Sequence, residues 1–548
     1  PVTLGRIPAL TFLGGQGVGG FGPYRDYNHN HNIYGNISKT LGQHSIRVGV
    51  TYNHYQKTEN AAGGNQGTFA FSNNGAITGS TAKNFQQSWA NFLMGYVNNF
   101  NQTSLDLTPN IQNNSFEAYV QDDWKATSRL TLNLGVRYSD FPQPVDKNHL
   151  LTTFDPTLFK AANAPTIDTA GNMCIPGAPC AGGVAPNPSY DPLNGISING
   201  KTSPYGDKVG KADKLNFAPR VGFALDVFGN GTAALRGGYG IAYDTALYGI
   251  YEQNIFANPP FVQSPNIPNT SFDNPTSGNA KLVTSPTVLR STATKFSTPY
   301  TQQFSLDLQQ QLAPSFVLDV GYFGVLGRHL LGIVDMNEVP VGAYIAAELG
   351  STVTGDSVKR ITTGNTPTLN QIRPYKGYNA LNTIQPWFTS NYNSLQVSLQ
   401  KRFAGKSLVD VNYTWSRALT NNQSDRSTAP QNTYDIKSEY GRSALDRNQI
   451  LTLDAIYELP FLKNQPGVVG RVLGGWVLSG IGSLNSGLPF TATLSNGIDP
   501  GGLGILGSSA AGPRPDQVAD PNSGDHTFLH WFNSAAFTAI PSGVVLPG

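Results

Sequence analysis

Hydrophobic and polar residues alternate along many short stretches of this chain. Between Arg129 and Ser139, leucine, valine or tyrosine fills every second position, and small or polar residues fill the positions between them. Successive side chains of a β-strand point to opposite faces, so each such stretch predicts a strand with one apolar and one polar face. The same pattern occurs in Ser45–Tyr52, Leu215–Phe228, Gln303–Gln309, Ser394–Gln400 and Val409–Ser416.

The connections between the predicted strands alternate in length. Short turns are predicted at Lys125–Ser128, Gly229–Gly231, Ala313–Pro314 and Ala404–Gly405. Long loops are predicted at Asp140–Lys214, Ala246–Thr298, Gly327–Asn391 and Thr420–Asp446. Loops of more than ~15 residues are uncommon in compact domains, and here they recur on one side of the strands. This alternation is typical of an outer-membrane β-barrel.

We therefore expect an all-β fold, an antiparallel up-and-down transmembrane barrel whose long loops are extracellular. About 14 to 16 strands are visible, fewer than the largest barrels contain. Ser88–Gly95 is the one segment with short helical spacing, and we interpret it as a turn at the rim.

Aromatic residues mark both ends of the predicted strands. Trp124, Phe228, Phe316 and Phe403 lie at the short turns, and Tyr52, Tyr138, Tyr243, Tyr322, Tyr413 and Trp415 lie at the long loops. Amphipathic rings favour the headgroup level of a membrane, so these residues are predicted to form two girdles. The alternative is that aromatic residues simply favour strands, but that preference predicts no enrichment at the ends.

The charge content supports a membrane setting. Only 13% of the residues are charged, and the formal net charge is +2. Soluble domains carry about 25% charged residues, whereas lipid-facing positions must be uncharged. We expect lipid to contact Leu132, Leu134, Phe223, Leu225, Val397 and Val411. With 36 basic and 34 acidic residues and no polybasic run, nucleic acid is not an expected partner.

Charged residues in the middle of strands define the opposite face. The predicted lumen-facing set is Arg47, Arg137, Arg220, Arg236, Asp226, Asp244 and Asp307. One interpretation is a polar conduit, or a docking surface for a plug and a substrate. The other is that these charges only pair with one another to fill the lumen.

Two cysteines, Cys174 and Cys180, flank a short Pro-Gly-Ala-Pro segment. We expect a local disulfide in an extracellular loop, which implies an oxidising compartment, although two free thiols are the alternative. Two sulfur ligands without a nearby histidine do not complete a zinc site.

Other candidate motifs are weak. His29 and His31 share a face if they lie on a strand, but no third metal ligand is visible. Asp520, Asn522 and Asp525 resemble a calcium loop only in part, because its twelfth position is Trp531 rather than glutamate. The GxGxxG segment Gly15–Gly20 precedes no predicted helix and is interpreted as a loop. We expect no metal, no cofactor and no enzymatic activity.

Seven blocks resemble the barrel of the Oar-like branch of TonB-dependent receptors, which is abundant in acidobacteria and myxobacteria. They are Gly42–Tyr52, Tyr119–Ser139, Phe217–Asp244, Asn391–Phe403 together with Val411–Leu419, Leu445–Phe461, Leu473–Thr491 and Trp531–Phe537. The resemblance implies a bacterial outer-membrane transporter that moves a bulky substrate, such as a peptide, glycan or chelate. It also implies a plug domain and a TonB-type energy transducer as partners.

The family combines an N-terminal domain and a plug with a barrel of about 22 strands. We therefore expect residues 1–548 to form one barrel domain that is an internal fragment of a longer receptor. Two alternatives are a passive, structural or adhesive outer-membrane barrel and a secreted soluble β-sandwich that binds carbohydrate. A plug domain encoded upstream would distinguish a transporter from the first alternative. Solubility without detergent would indicate the second.

Overall fold

The computed structural model describes most of the chain. The described residues are 7–20, 25–60, 66–72, 84–103, 107–262, 266–277, 284–340, 368–403, 407–424, 429–459, 461, 464–465, 467–493, 514–528 and 530–538. Of the predicted segments, the turn Ala404–Gly405 lies outside the described residues.

Strands make up most of the regular structure. In chain order they are β1 Ala9–Phe12, β2 Asp26–Leu41, β3 His44–Glu59, β4 Thr68–Phe71, β5 Tyr96–Asn101, β6 Asn110–Lys125, β7 Leu130–Asp140, β8 Val145–Asp146, β9 Thr152–Phe154, β10 Thr166–Ile167, β11 Met173–Cys174, β12 Ile196–Ile198, β13 Lys211–Ala212, β14 Asn216–Asp226, β15 Ala233–Tyr243, β16 Asn266–Ser271, β17 Thr287–Thr292, β18 Lys295–Phe296, β19 Tyr300–Ala313, β20 Phe316–Asp335, β21 Tyr378–Arg402, β22 Leu408–Thr420, β23 Gly441–Arg442, β24 Gln449–Glu458 and β25 Val477–Asn485.

Helices are few and short in the described part of the chain. They are α1 Asn84–Leu93, α2 Gly249–Ala257, α3 Leu369–Ile372 and α4 Gly467–Leu473. Short 3-10 turns lie at Ala161–Asn163, Ala181–Gly183, Pro275–Ser277, Ile436–Glu439 and Ser534–Ala536. None of these helices is both long enough and apolar enough to span a membrane.

One large sheet organises the described residues. Its strands follow the order β2-β3-β6-β7-β14-β15-β19-β20-β21-β22-β24-β25, and every neighbouring pair along this path is antiparallel. The short strands β8, β17 and β23 pair with β6, β21 and β22 off this path, which makes 15 strands in the sheet. The all-β, largely antiparallel fold predicted from the alternation is confirmed.

The short turns have local chemical causes. Asp226 at the end of β14 accepts hydrogen bonds from the backbone N–H groups of Gly229 (2.8 Å) and Gly231 (3.0 Å). Both glycines have positive φ angles, 76° and 74°, which residues with a Cβ rarely adopt. The Asp226 carboxylate therefore closes the turn that joins β14 to β15.

The long loops share one hydrophobic core. Buried residues from five connections pack in a single cluster that includes Leu107, Leu151, Tyr251, Ile333 and Ala429. Each of the four predicted long loops contributes residues to this cluster. The fifth connection, between β3 and β6, contributes Leu107. The loops consequently lie together at one end of the sheet.

The predicted loop Gly327–Asn391 is wrong in its bounds. Strand β20 continues to Asp335, and β21 begins at Tyr378, so much of the segment forms paired strands such as Ile333 opposite Ile384. A register shift interrupts the ladder between Gly327 and Leu330. The strands extend this far because Ile333 and Ile384 reach the shared loop core, where both are buried.

The predicted rim turn at Ser88–Gly95 is also wrong, because most of this segment lies in helix α1. Phe85, Trp89 and Phe92 occupy one helix face at spacings of three and four residues, and their rings pack near Phe12. Beneath them, β1, β4, β5 and β16 form a separate four-stranded sheet. The core of this unit comprises Phe69, Phe71, Val97, Phe100 and Ile267.

Candidate functional site

Large apolar side chains cover one face of the main sheet and are exposed. Val48, Val221 and Leu306 are 49%, 53% and 52% exposed. The strand register places all six expected lipid-facing residues on this face, with Leu132 opposite Phe223 and Val411 opposite Leu399. An apolar surface that extends across many strands is rare on soluble proteins and marks contact with a membrane or a partner.

The expected girdle residues divide between the ends and the interior of their strands. Trp124, Phe228 and Phe403 lie at or next to the short-turn ends of β6, β14 and β21, and Tyr138 and Tyr243 lie at the long-loop ends of β7 and β15. Tyr322 and Trp415 instead lie inside β20 and β22, where both are opposite Leu395 of β21. Two of the residues at the long-loop end, Tyr138 and Tyr243, each pack against an aromatic ring on the next strand. Tyr138 lies 5.1 Å from Phe217, and Tyr243 lies 5.4 Å from Tyr300, measured between ring centroids.

The opposite face carries ion pairs between neighbouring strands. Arg47 Nη2 lies 3.3 Å from Asp123 Oδ2, and Arg137 Nε lies 2.5 Å from Glu117 Oε2. A third pair joins Arg236 Nη1 to Asp307 Oδ2 at 3.9 Å. Three of the four predicted lumen arginines thus have a carboxylate partner on the same face.

The remaining members of that predicted set have other surroundings. Arg220 lies opposite Gly240 on β15, and its side chain lies over this glycine. Asp226 closes its turn, and Asp244 lies just beyond β15 and accepts a hydrogen bond of 2.8 Å from the Thr245 N–H. These two aspartates therefore serve local backbone structure at the strand ends.

Sequence reasoning missed a polar pair on the apolar face. His44 Nδ1 lies 2.6 Å from Asp122 Oδ2, and the His44 ring stacks on Trp124 at 5.3 Å. Asp122 lies opposite Ile46 and Leu134, so its side chain shares the face of the apolar residues. The doublet Asp122-Asp123 was the available signal, since one of two adjacent strand residues must share a face with Trp124.

A second missed cluster lies where the long loops meet β3. Lys57 Nζ contacts Glu59, lies 3.0 Å from Glu252 Oε2 and lies 3.7 Å from Asp26 Oδ2. The Lys57 side chain is 15% exposed and that of Glu252 is 4% exposed. Beside them, the rings of Tyr55 and Tyr248 lie 4.6 Å apart, so helix α2 is held against the polar face of β3.

Burial and neighbouring charge shift the pKa values in this cluster. Burial raises the pKa of Glu252 to about 7, and the nearby Glu59 carboxylate adds to the increase although Lys57 opposes it. Lys57 supplies the opposing positive charge through its contacts with Glu59 and Glu252. Glu252 can therefore change its charge near neutral pH.

The weak metal candidates gain little from the structure. His29 and His31 share a face of β2, and His54 of β3 lies beside His31 with a centroid distance of 6.2 Å. His54 Nδ1 already lies 2.6 Å from Asn114 Oδ1. Within the described ranges, no three His, Cys, Asp or Glu side chains are arranged to hold a metal ion. Asp520 and Asn522 belong to a local turn in which Asp520 accepts the Asn522 N–H.

A disulfide joins Cys174 to Cys180. Cys174 lies on β11 and is fully buried, in the long connection between β7 and β14. Asp168 accepts a hydrogen bond of 3.1 Å from the N–H of Ala181, directly after Cys180. The bridge therefore closes a small loop that is also tied to its neighbouring backbone.

The fold, its exposed apolar face and its ion-paired polar face together define a membrane β-barrel protein. The sequence matches the family described as "Outer membrane beta barrel domain" over residues 1–545. The chain therefore belongs to this family and is a protein of the outer membrane. A search of curated proteins finds no match.

Several solved structures are similar to this chain. One is the outer membrane transporter YddB from Escherichia coli, with 11% identity, a TM-score of 0.42, and coverage of 80% of this chain and 41% of YddB. The copper transporter OprC has 9% identity, a TM-score of 0.36, and coverage of 80% and 42%. The FrpB iron transporter from Neisseria meningitidis, F5-1 variant, has 11% identity, a TM-score of 0.34, and coverage of 80% and 43%. The chain spans about two fifths of each of these proteins.

Proposed function

We propose that this chain is the barrel portion of an Oar-like TonB-dependent transporter, which moves a bulky substrate such as a peptide, glycan or chelate across the outer membrane. The whole chain, residues 1–548, is proposed to be one barrel domain and part of a longer receptor. A plug domain and a TonB-type energy transducer are its proposed partners. The support from sequence is the set of seven blocks that resemble that family in order.

The observation that carries the proposal is the arrangement of the long loops. They share a core at one end of the sheet, and helix α2 lies against the polar face of β3 through the Lys57–Glu252 ion pair. A passive pore needs an open lumen, whereas loops folded against the polar face suit a receptor that binds a substrate before moving it. We also propose that the chain is not an enzyme, because in the described strands the polar face carries arginine–carboxylate pairs rather than an activated nucleophile with a base.

Energy-dependent uptake tests this proposal. Cells that express the complete gene are incubated with fluorescent peptides, oligosaccharides and ferric chelates, with and without an uncoupler of the proton-motive force. We expect at least one class to accumulate inside the cells, and we expect the uncoupler to abolish accumulation but not surface binding. A matched strain without the gene is the control.

The remaining outcomes separate the alternatives. Accumulation that is insensitive to the uncoupler would indicate a passive barrel. If none of the three classes enters the cells above the control, the transport proposal is wrong, and a structural or adhesive barrel becomes the better interpretation.

A further inference from the structure

A cavity of about 240 Å³ opens among the long loops, apart from the charged cluster around Lys57. Strand β21 contributes Thr383, Gln385 and Trp387 to its lining. The other lining residues are Phe154, Pro156, Thr292, Ala293, Thr294, Lys295 and Met336. Its volume is below the ~300–1,000 Å³ of pockets for drug-sized ligands, so the space suits a single ring.

The aromatic wall of the cavity is Trp387. Thr383 and Gln385 occupy alternate positions of β21 and share one face of the strand. A register shift against β20 interrupts the ladder between Gln385 and Phe388, and Trp387 reaches the cavity from this irregular segment. The neighbouring side chains of Ile384 and Phe388 are buried, at 4% and 1% exposure. Trp387 by contrast is 45% exposed, so much of its large ring remains accessible next to the cavity.

The polar wall of the cavity includes an amide with a weak partner. Gln385 is 8% exposed, and its Nε2 donates to the thioether sulfur of Met336 at 3.8 Å. A thioether is a weak acceptor, and buried carboxamides are normally paired with stronger ones. The Gln385 amide therefore retains hydrogen-bonding capacity that a ligand in the cavity can use.

Hydrogen bonds fix the backbone beside the lining residues Phe154 and Thr292. Thr153 Oγ1 lies 2.7 Å from Ser291 Oγ and accepts the Thr292 N–H at 3.1 Å, which joins β9 to β17. The Phe154 ring packs against Tyr375 with centroids 4.9 Å apart. A preformed pocket avoids the entropic cost of ordering its walls when a ligand binds.

We propose that this cavity binds one pyranose sugar ring. The ring's C–H face would lie against Trp387, and its hydroxyl groups would hydrogen-bond to the Gln385 amide. Lys295 is exposed at the cavity wall and adds a positive charge, which favours a sugar that carries a carboxylate. The occupant is therefore a uronic acid residue in preference to a neutral hexose.

This inference concerns binding alone and does not require that the chain transport the sugar. Equilibrium binding to purified protein can succeed where energy-dependent uptake fails, and uptake of a peptide or chelate can succeed where sugar binding fails. The two proposals can therefore be contradicted separately.

Saturation-transfer NMR on the full chain, in micelles of a detergent without a sugar headgroup, tests the site. The probes are methyl β-glucuronide and methyl β-glucoside. We expect saturation to be transferred from the protein to both probes, and we expect the glucuronide to bind more tightly than the glucoside. Trp387→Ala and Gln385→Ala should each weaken glucuronide binding about tenfold or more, and a tenfold loss corresponds to ~1.4 kcal/mol. Lys295→Gln should remove the preference for glucuronide, so that the two probes bind this variant with similar affinity.

Trp89→Ala is the matched control. Trp89 is 43% exposed, close to the exposure of Trp387, but it lies on α1 in the separate small-sheet unit. Binding should be unchanged in this variant. The proposal is overturned if neither probe binds, or if Trp387→Ala and Trp89→Ala weaken binding equally. Equal affinity for the two probes in the unmodified protein would overturn the role of Lys295.

Discussion

Lys57 and Glu252 are 195 positions apart in the chain, yet Lys57 Nζ donates a hydrogen bond of 3.0 Å to Glu252 Oε2. This contact connects a strand of the main sheet to helix α2 in the connection between β15 and β19. Because the Glu252 side chain is almost fully buried, its charge is tolerated only beside a positive partner. The pair therefore couples the position of α2 to the polar face of the barrel.

The first prediction is that acidification stabilises the docked position of α2. The pKa of Glu252 is raised from 4.5 to about 7 in the folded state, so the folded protein binds this proton more tightly than the unfolded chain does. This contribution to stability is fully present below the unfolded pKa and is lost as the pH rises through the folded pKa. Hydrogen exchange of residues 249–257, corrected for intrinsic rates, should therefore be slower at about pH 5 than at about pH 8.

Glu252→Gln is the control for the titration, because the amide keeps the shape but carries no charge. In this variant, the protection of residues 249–257 from hydrogen exchange should be the same at both pH values. Lys57→Met should expose α2 to proteases, since removing one partner of a buried pair costs ~3–5 kcal/mol. A pH dependence that persists unchanged in Glu252→Gln would show that another group is responsible.

The second prediction separates the two faces of the main sheet. Leu306 lies in the middle of β19, is 52% exposed and faces away from the ion pairs. Leu306→Arg should impair membrane assembly, because arginine near the bilayer midplane costs ~2–4 kcal/mol. Ser305→Arg, on the polar face, should assemble normally. Heat-modifiable mobility on gels measures the folded fraction, and equal losses in both variants would contradict the assignment of the faces.

The third prediction concerns the disulfide. Mass spectrometry of non-reduced protein should find Cys174 and Cys180 joined and unreactive to alkylation. Replacing both with serine should increase proteolysis inside 140–214 but leave barrel assembly intact, since a bridge that closes a short loop contributes no more than ~3 kcal/mol. Full alkylation without a reductant would show that the thiols are free.

The fourth prediction is topological. Protease shaving of intact cells should cut within Asp140–Lys214, Ala246–Thr298, the described part of the β20–β21 connection, and Thr420–Asp446. The turns at Lys125–Ser128, Gly229–Gly231 and Ala313–Pro314 should be cut only when the periplasm is opened. Since each strand crosses once, cleavage of a short turn in intact cells would mean that the number of crossings is wrong.

The sequence predicted the strands that cross the membrane more reliably than their extensions. The alternation between Arg129 and Ser139 predicts a strand, and β7 is Leu130–Asp140. Strand β2 was not predicted, although it pairs with β3 along its whole length. Its sequence is largely polar, so alternation of apolar residues gave no signal, and only the pairing with β3 determines it.

The candidate sites show the same division. The alternation of side chains along a strand predicts the face on which each arginine lies. It does not predict the ion-pair partner, because Arg137 pairs with Glu117 on another strand. The spacing of residues in α1 is helical in the sequence. Only the structure shows what its aromatic face packs against, which includes Phe12 and Phe71. Lys57 and Glu252 carried no signal at all, since nothing local connects residues so distant in the chain.

By itself, the sequence determined the strands in which apolar and polar residues alternate, and which face of each of these strands is apolar, because side chains alternate across a strand whatever lies beside it. It also determined the turn at Gly229–Gly231, whose geometry depends on adjacent residues. The tertiary structure alone decided which loops pack together, where β20 and β21 end, which charges pair and where the Trp387 cavity forms. These features depend on contacts between segments that are far apart in the chain. Such contacts produce no repeating pattern of residues within any one segment, so the sequence of that segment does not predict them.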